Sequence, residues 1–189
     1  MSVNLAKHHF TVSEYERMGE TGIFAPDARL ELIEGQIIEM SPTGSRHAAC
    51  VKLLSRILNR MVGDEIIVST QDPIRLSDFS EPQPDVSLLK YRADFYRSAH
   101  PRPEDVLLVI EVAETTVQFD RRVKMPLYAR AGIAEALLFN LPEDQVEYFA
   151  RPEMGAYQDD NILSRGEKFE STIVPVLSPR NGRVPVAIS

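Results

Sequence analysis

The stretch of residues 105–113, DVLLVIEVA, limits the possible folds of this 189-residue chain more than any other feature. It is the most apolar run in the sequence and is rich in β-branched residues, which is typical of a central strand buried on both faces of a sheet. Glu111 interrupts the run, although an unpaired carboxylate is expensive to bury. The sequence therefore predicts a central strand that carries one acidic side chain beside a cation or a metal ion.

The patterns on either side of this strand predict a mixed sheet with helices. Apolar and alternating patterns predict further strands at residues 65–70, 73–76, 135–141 and 145–150, and one that begins at Asp85. A hairpin is predicted within residues 30–40, with Glu34-Gly35 as its turn. Helices are predicted at residues 46–62 and 120–131, and a capping box at Thr11 and Glu14 opens a short helix before them. Helices placed between strands in this mixed order indicate an α/β (α+β) sandwich.

Length and composition favour one globular domain that comprises residues 1–189. Within it we expect an N-terminal helical arm at 1–28, a core at 29–150 and C-terminal strands at 151–189. The single cysteine, Cys50, and the lack of a secretory signal in MSVNLAKHHF are typical of a cytoplasmic protein. No apolar run approaches the roughly 20 residues that a membrane-spanning helix needs.

Charge is unevenly distributed along the chain. Acidic residues number 28 against 21 basic ones, and the net charge of −7 argues against a protein that coats nucleic acid indiscriminately. Residues 41–63 nevertheless contain four basic side chains and no acid. Three of these basic residues recur every four positions on one face of the predicted helix: Lys52, Arg56 and Arg60. They are either candidate phosphate contacts or a solvated helix face.

A second isolated acid, Asp85, opens a predicted strand directly after Pro84. If the strands that carry Asp85 and Glu111 are neighbours, both carboxylates can reach one point. Such oxygen ligands suit Mg²⁺, or Mn²⁺ in its place, which bind one or two carboxylates together with water and substrate phosphate. The alternative is a buried ion pair or an acid at the solvated end of a strand. Lys124 is a candidate positive group for phosphodiester cleavage, or else pairs with Asp120 one helical turn before it.

Two further polar residues have both a functional and a structural interpretation. His47 precedes a run of basic residues at the start of a predicted helix. It is a candidate for phosphate contact or proton transfer, and also a candidate surface or capping residue. Gln71 is a candidate to line the same site from a neighbouring strand, or an ordinary polar residue.

Three strings of the sequence together resemble a known family. They are ELIEGQIIEMSP with His47 just after it, QDPIRLSDFSEPQPDV, and VIEVAETTVQFDRRVKMPLYARAGIAEALLFNL. With Pro84-Asp85, then Glu111, then Lys124, they resemble the PD-(D/E)XK nuclease superfamily and, within it, the bacterial Uma-type family of restriction-endonuclease-like proteins. The resemblance implies a restriction-endonuclease-like mixed β-sheet flanked by helices. It also implies a Mg²⁺-dependent DNA endonuclease that hydrolyses phosphodiester bonds with a metal-activated water.

The resemblance implies a role for each matching residue. Asp85 and Glu111 correspond to the carboxylates that hold the metal ion. Lys124 corresponds to the catalytic lysine, moved from the strand to the following helix, and Glu34 to an additional acid from the N-terminal part. Cutting both strands of a duplex usually takes two active sites, so the resemblance also implies a homodimer.

The chain departs from the family pattern at two positions. Ala113 occupies the usual lysine position, so activity depends on whether Lys124 reaches the site. Glu114 stands where the family generally has a small polar residue or Asp, and this acid either helps to bind metal or repels phosphate. The displaced lysine and the net charge favour an alternative, a catalytically inactive nuclease-fold DNA-binding or interaction module. A weaker alternative is a phosphoesterase that acts on RNA or a nucleotide.

Overall fold

A computed structural model describes residues 6–163 and 171–174 of the chain. Its elements in chain order are α1 (Val12–Glu20), β1 (Leu30–Ile33), β2 (Gln36–Glu39), α2 (Ser45–Met61), β3 (Ile66–Ser69), β4 (Val86–Lys90), a 3₁₀ turn (Pro103–Asp105), β5 (Val106–Ala113), α3 (Val117–Phe119), a π-helical turn (Asp120–Lys124), α4 (Met125–Arg130), β6 (Glu135–Asn140), β7 (Gln145–Glu153) and β8 (Ala156–Leu163). In the part of the chain described, no helix is long and apolar enough to cross a membrane.

Strands β3 to β8 form one six-stranded sheet in sequence order, and β1 pairs with β2 in a separate hairpin. Neighbouring strands of the sheet run antiparallel except β5 and β6, which run parallel and are connected through the helical residues 117–130. The predicted mixed sheet flanked by helices is confirmed. In the β4–β5 pair, Val86 lies opposite Ile110. The two strands are therefore neighbours, as predicted, and their pairing brings Asp85 to the same edge of the sheet as Glu111.

Each face of the sheet is covered by a different layer. Helix α2 packs Val51, Leu54 and Leu58 against one face. Helix α4 and the hairpin cover the other face. Because side chains alternate along a strand, Ile110 and its second neighbours face α2, whereas Glu111 faces the layer formed by α4 and the hairpin.

The helix predicted at residues 120–131 begins earlier, at 117, and contains a π-helical turn at Asp120–Lys124. Pro126 lies in the first turn of α4. Proline has no amide hydrogen, so it tolerates only the start of a helical segment. The wider turn before it changes the directions in which the side chains of Asp120 and Lys124 project.

Most other predicted elements are present. The capping box of Thr11 and Glu14 opens α1, and the hairpin turn has positive φ at both Glu34 (49°) and Gly35 (76°). The strand predicted at residues 73–76 is wrong. Ile74 donates its amide hydrogen to Pro82 in an irregular loop, since the prolines of the facing segment cannot continue a ladder.

Part of the predicted C-terminal region lies within the described residues. Strand β8 lies in the predicted segment and pairs with β7 in the same sheet as the core. The expected boundary between residues 150 and 151 falls inside β7. Residues 164–170 and 175–189 lie outside the described residues, and the division of the domain into arm, core and C-terminal strands stays a prediction.

Candidate active site

A cavity of about 340 Å³ opens where β4 begins and β5 ends. Its walls come from the hairpin, the first turn of α2, the ends of these two strands and the helical residues 116–124. Acidic residues outnumber basic ones among the described residues that line it. The acids are Glu31, Glu39, Asp85, Glu111, Glu114 and Asp120, and the bases are Arg29, Lys124 and His47.

Asp85 is buried at the start of β4 and receives three hydrogen bonds. His47 Nε2 lies 3.0 Å from Oδ2, the Val112 amide donates to the same oxygen over 2.9 Å, and Gln71 donates to Oδ1 over 3.1 Å. Burial opposes the charge, but these hydrogen bonds and the charge of His47 hold the pKa of Asp85 below its usual value. Asp85 is therefore a fixed carboxylate at neutral pH.

Glu111 is buried on β5 and uses one oxygen for two contacts. The Tyr128 hydroxyl donates to Oε1 over 2.5 Å, and Lys124 Nζ lies 3.2 Å from the same atom. Burial and the neighbouring acids raise the pKa of Glu111 well above its usual value, while the ion pair with Lys124 opposes that shift. The predicted cation beside Glu111 is therefore Lys124.

Lys124 joins Glu111 to the hairpin. Its ammonium lies 2.9 Å from Glu31 Oε1, and the amide of Gln83 donates to that same oxygen over 2.8 Å. Burial disfavours the charge, but Glu111, Glu31 and Asp120 together raise the pKa of Lys124 above its usual value. The alternative pairing of this lysine with Asp120 is not among the ion pairs of the described residues. Asp120 accepts a hydrogen bond from Thr116 over 2.6 Å instead.

The structure brings Glu31, and not Glu34, to this cavity. Glu34 lies at the tip of the hairpin, more than half exposed, where Arg130 donates to it over 2.7 Å. It lines a different cavity of about 570 Å³. Glu31 sits in β1 between apolar residues, the same pattern that singled out Glu111, and that signal could have identified it.

Three further candidate residues, His47, Gln71 and Glu114, lie at the cavity or contact a residue that lines it. His47 and Gln71 both bond to Asp85. Glu114 lies beside the start of α2, where a Cβ atom added to Gly44 would stand only 2.6 Å from its Oε2. The absence of a side chain at residue 44 thus makes room for this acid. Asp120 also lines the cavity, whereas Tyr128 does not line it but contacts Glu111 through its hydroxyl.

Three basic side chains form an exposed row on α2, which we call the basic stripe: Lys52, Arg56 and Arg60. Helix α2 carries His47 into the cavity with its first turn and buries its Val51, Leu54 and Leu58 against the sheet. The stripe therefore follows the solvent side of the helix, and its far end lies about 20 Å from His47 at 1.5 Å per residue.

The cavity contains oxygen donors of the kind that a divalent metal ion binds. Across residues 6–163 and 171–174, no three Asp, Glu, His or Cys side chains converge on a metal position, since Asp85 and Glu111 contact His47 and Lys124 instead. Mg²⁺, however, keeps several waters and takes only one or two protein carboxylates. The two carboxylates at one cavity therefore fit Mg²⁺ in chemical kind and in number.

This mixed sheet, with carboxylates and a lysine at one edge, has the fold of a nuclease-like protein. A solved structure described as "a putative nuclease belonging to DUF820" from Anabaena variabilis superposes with a TM-score of 0.68 over 94% of this chain and 95% of that one, at 15% identity. Residues 12–185 match the family model Uma2, described as "Putative restriction endonuclease". The chain belongs to the Uma2 family, as the sequence resemblance predicted. No curated protein matches it.

Proposed function

We propose that this chain is a Mg²⁺-dependent endonuclease that hydrolyses phosphodiester bonds in DNA. One observation carries the proposal: a buried lysine and the carboxylates of two neighbouring strands, Asp85 and Glu111, line the same cavity. Membership of a family described as restriction endonucleases supports a nuclease reaction, and the fold agrees with it. The metal, the DNA substrate and the residue roles are what the proposal adds.

The charge of the cavity supports metal dependence. A phosphodiester carries a negative charge, and the excess of carboxylates in the cavity repels it. A divalent cation held there would offset this repulsion, polarise the phosphoryl oxygen and lower the pKa of a bound water. Asp85 and Glu111 would hold this ion, and Mn²⁺, with the same oxygen ligands, would substitute.

The side chains around the ion have distinct roles in this proposal. The hydrogen bonds from His47, Gln71 and the Val112 amide orient Asp85. Lys124 carries its proton throughout, because its pKa is raised by the acids around it. It therefore stabilises negative charge on the phosphoryl group rather than accepting a proton from water. The basic stripe would contact phosphates on either side of the scissile bond.

Cleavage of supercoiled plasmid DNA tests the proposal. Wild type is expected to nick or linearise the plasmid with Mg²⁺ or Mn²⁺ and to stop when EDTA is added. Asp85→Asn, Glu111→Gln and Lys124→Met should each lower the rate by about 10²-fold or more. Glu34→Gln is the matched control, since this acid is exposed and outside the cavity, and its rate should equal that of wild type.

The outcomes separate the parts of the proposal. Circular dichroism must first show that each variant is folded. Undiminished cleavage by Lys124→Met would remove the lysine from the mechanism, and cleavage that persists in EDTA would remove the metal. Cleavage of RNA but not DNA would move the substrate to the phosphoesterase alternative.

A non-catalytic DNA-binding module is the second candidate. The contacts of Asp85 with His47 and of Glu111 with Lys124 favour it, because both carboxylates already have partners in the described structure. Metal-dependent turnover on any nucleic acid excludes it.

We also propose that two copies act together on a duplex and that the protein works in the cytoplasm. Burial raises the pKa of the Cys50 thiol to about 12, so this lone cysteine is unreactive and suits a reducing compartment. Sedimentation equilibrium with and without DNA tests the dimer.

A further inference from the structure

We propose that Tyr128 is a positioning residue for the metal site. Together with Lys124, it holds one oxygen of Glu111 and leaves the other oxygen free for the metal ion. This inference rests on the proposed function and adds a residue to its site.

The contacts converge on a single atom. Tyr128, in α4, is fully buried, and its hydroxyl donates to Glu111 Oε1 over 2.5 Å. Lys124 Nζ lies 3.2 Å from the same Oε1. From the residues that the structure describes, Oε2 of Glu111 receives no hydrogen bond, and Glu111 lines the cavity. The two donors therefore divide the carboxylate into a held oxygen and a free one.

Two donors on one oxygen determine the orientation of the carboxylate. The terminal torsion of a glutamate is broad, so a carboxylate without such contacts rotates easily. Mg²⁺ accepts only a narrow range of oxygen positions around it. Groups that orient a metal ligand in this way typically contribute 10–100-fold to metal affinity.

The hydroxyl of Tyr128 has no packing function that phenylalanine would not serve. The ring packs in the apolar cluster with Val109, Ala113 and Met125. Burial of a hydroxyl in such surroundings costs free energy unless it is hydrogen-bonded. Among the described residues its hydrogen-bond partner is Glu111, on the strand that ends at the cavity. The polar atom is thus directed at the proposed metal ligand.

Titration of the full chain with Mn²⁺, followed by water-proton relaxation, tests the inference. Tyr128→Phe is expected to weaken Mn²⁺ binding about 10-fold or more. In a Glu111→Gln background the same change should have no further effect, because the hydroxyl acts through Glu111. Equal Mn²⁺ affinity for Tyr128→Phe and wild type, or additive losses in the double variant, would overturn the inference.

Tyr157→Phe provides a matched control. This tyrosine also donates its hydroxyl within the protein, to the backbone oxygen of Ile133 over 2.9 Å, but Ile133, unlike Glu111, does not line the cavity. Its loss should leave Mn²⁺ affinity unchanged, whereas an equal loss in both variants would show a general structural effect and overturn the inference.

The same titration separates this inference from the proposed function. If wild type binds Mn²⁺ and Asp85→Asn weakens binding while Tyr128→Phe does not, only the role of Tyr128 fails. If wild type binds no Mn²⁺, the metal-dependent function and the inference fail together.

Discussion

Two ion pairs connect the hairpin to the helical residues 117–130, and they differ in how deeply they are buried. Lys124 and Glu31 lie 2.9 Å apart with 4% and 1% of their side chains exposed. Arg130 and Glu34 lie 2.7 Å apart with 45% and 58% exposed. The distances are nearly equal, so distance does not tell which pair matters. Burial distinguishes the two pairs. Water screens the charges of the exposed pair, whereas each charge of the buried pair is compensated only by its neighbours.

The comparison shows where chemistry is feasible. A buried lysine held among carboxylates keeps a fixed position and a fixed charge, as catalysis requires. An exposed pair at a hairpin tip has neither property. We therefore assign the proposed catalytic role to the cavity that contains Lys124, and expect the pair at the hairpin tip to be a minor structural contact.

The largest expected effect comes from removing the inner cation. Lys124→Met leaves Glu31 and Glu111 as buried carboxylates without their cation, and should lower the free energy of unfolding by about 3–5 kcal/mol. Arg130→Met should change it by about 1 kcal/mol or less. Urea unfolding at neutral pH measures both. Equal destabilisation by the two variants would contradict the distinction between the pairs.

Replacing the acid of the buried pair is expected to have a smaller effect on stability than Lys124→Met and a clear effect on activity. Glu31→Gln removes the charge that holds Lys124 and should cost about 1–3 kcal/mol, with a 10–100-fold lower cleavage rate. Glu34→Gln should preserve both properties. If the rate falls with Glu34→Gln and not with Glu31→Gln, the role implied by the family resemblance belongs to Glu34 after all.

Glu81 extends the comparison to a buried acid with an unsatisfied oxygen. It forms a bridge to Leu32, and in the described part of the chain its Oε2 has no hydrogen-bond partner. Burial raises the pKa of Glu81, so the native state favours its protonated form. The stability of the fold with protonated Glu81 is therefore fully present below the pKa that this side chain has in the unfolded chain. It is lost as pH rises through the raised pKa of the folded state.

Glu81→Gln should therefore stabilise the protein at pH 8, by about 1–3 kcal/mol, and have little effect at pH 4. Thermal unfolding at the two pH values checks this. A variant that is less stable than wild type at pH 8 would show that the Glu81 charge is compensated in solution.

The smallest effect on stability is expected on the solvent side of α2. Alanine at Lys52, Arg56 and Arg60 should leave the unfolding temperature unchanged but weaken DNA binding, with the slope of log K against log salt reduced by about 1 per residue. Lys90→Ala is the control, because this exposed lysine lies at the opposite end of β4 from Asp85. An equal loss of affinity for Lys90→Ala would show non-specific attraction.

The sheet was largely predictable because its strands have strong local patterns. The apolar run around Glu111, the hairpin turn at Glu34-Gly35 and the periodicity of α2 each correspond to an observed element. The loop at residues 73–76 was not predictable from its apolar residues, because the absence of a strand depends on the prolines that face it. The π-helical turn before Pro126 left no periodic signal either.

The site was predictable in its carboxylates and lysine but not in their partners. Asp85, Glu111 and Lys124 stood out locally, whereas the contact of Lys124 with Glu31 joins residues 93 positions apart. The ring of Tyr128 packs in the apolar cluster between α4 and the sheet. Its hydroxyl gains a role only through the packing of α4 against β5.

Anomalous diffraction from crystals grown with Mn²⁺ tests the central claim most directly. The account predicts a peak in the cavity, within about 2–2.5 Å of carboxylate oxygens of both Asp85 and Glu111. Loss of that peak in Glu111→Gln crystals would support the same site. A fully occupied peak elsewhere, or an empty cavity at saturating Mn²⁺ with Lys124 still bound to Glu111, would contradict it.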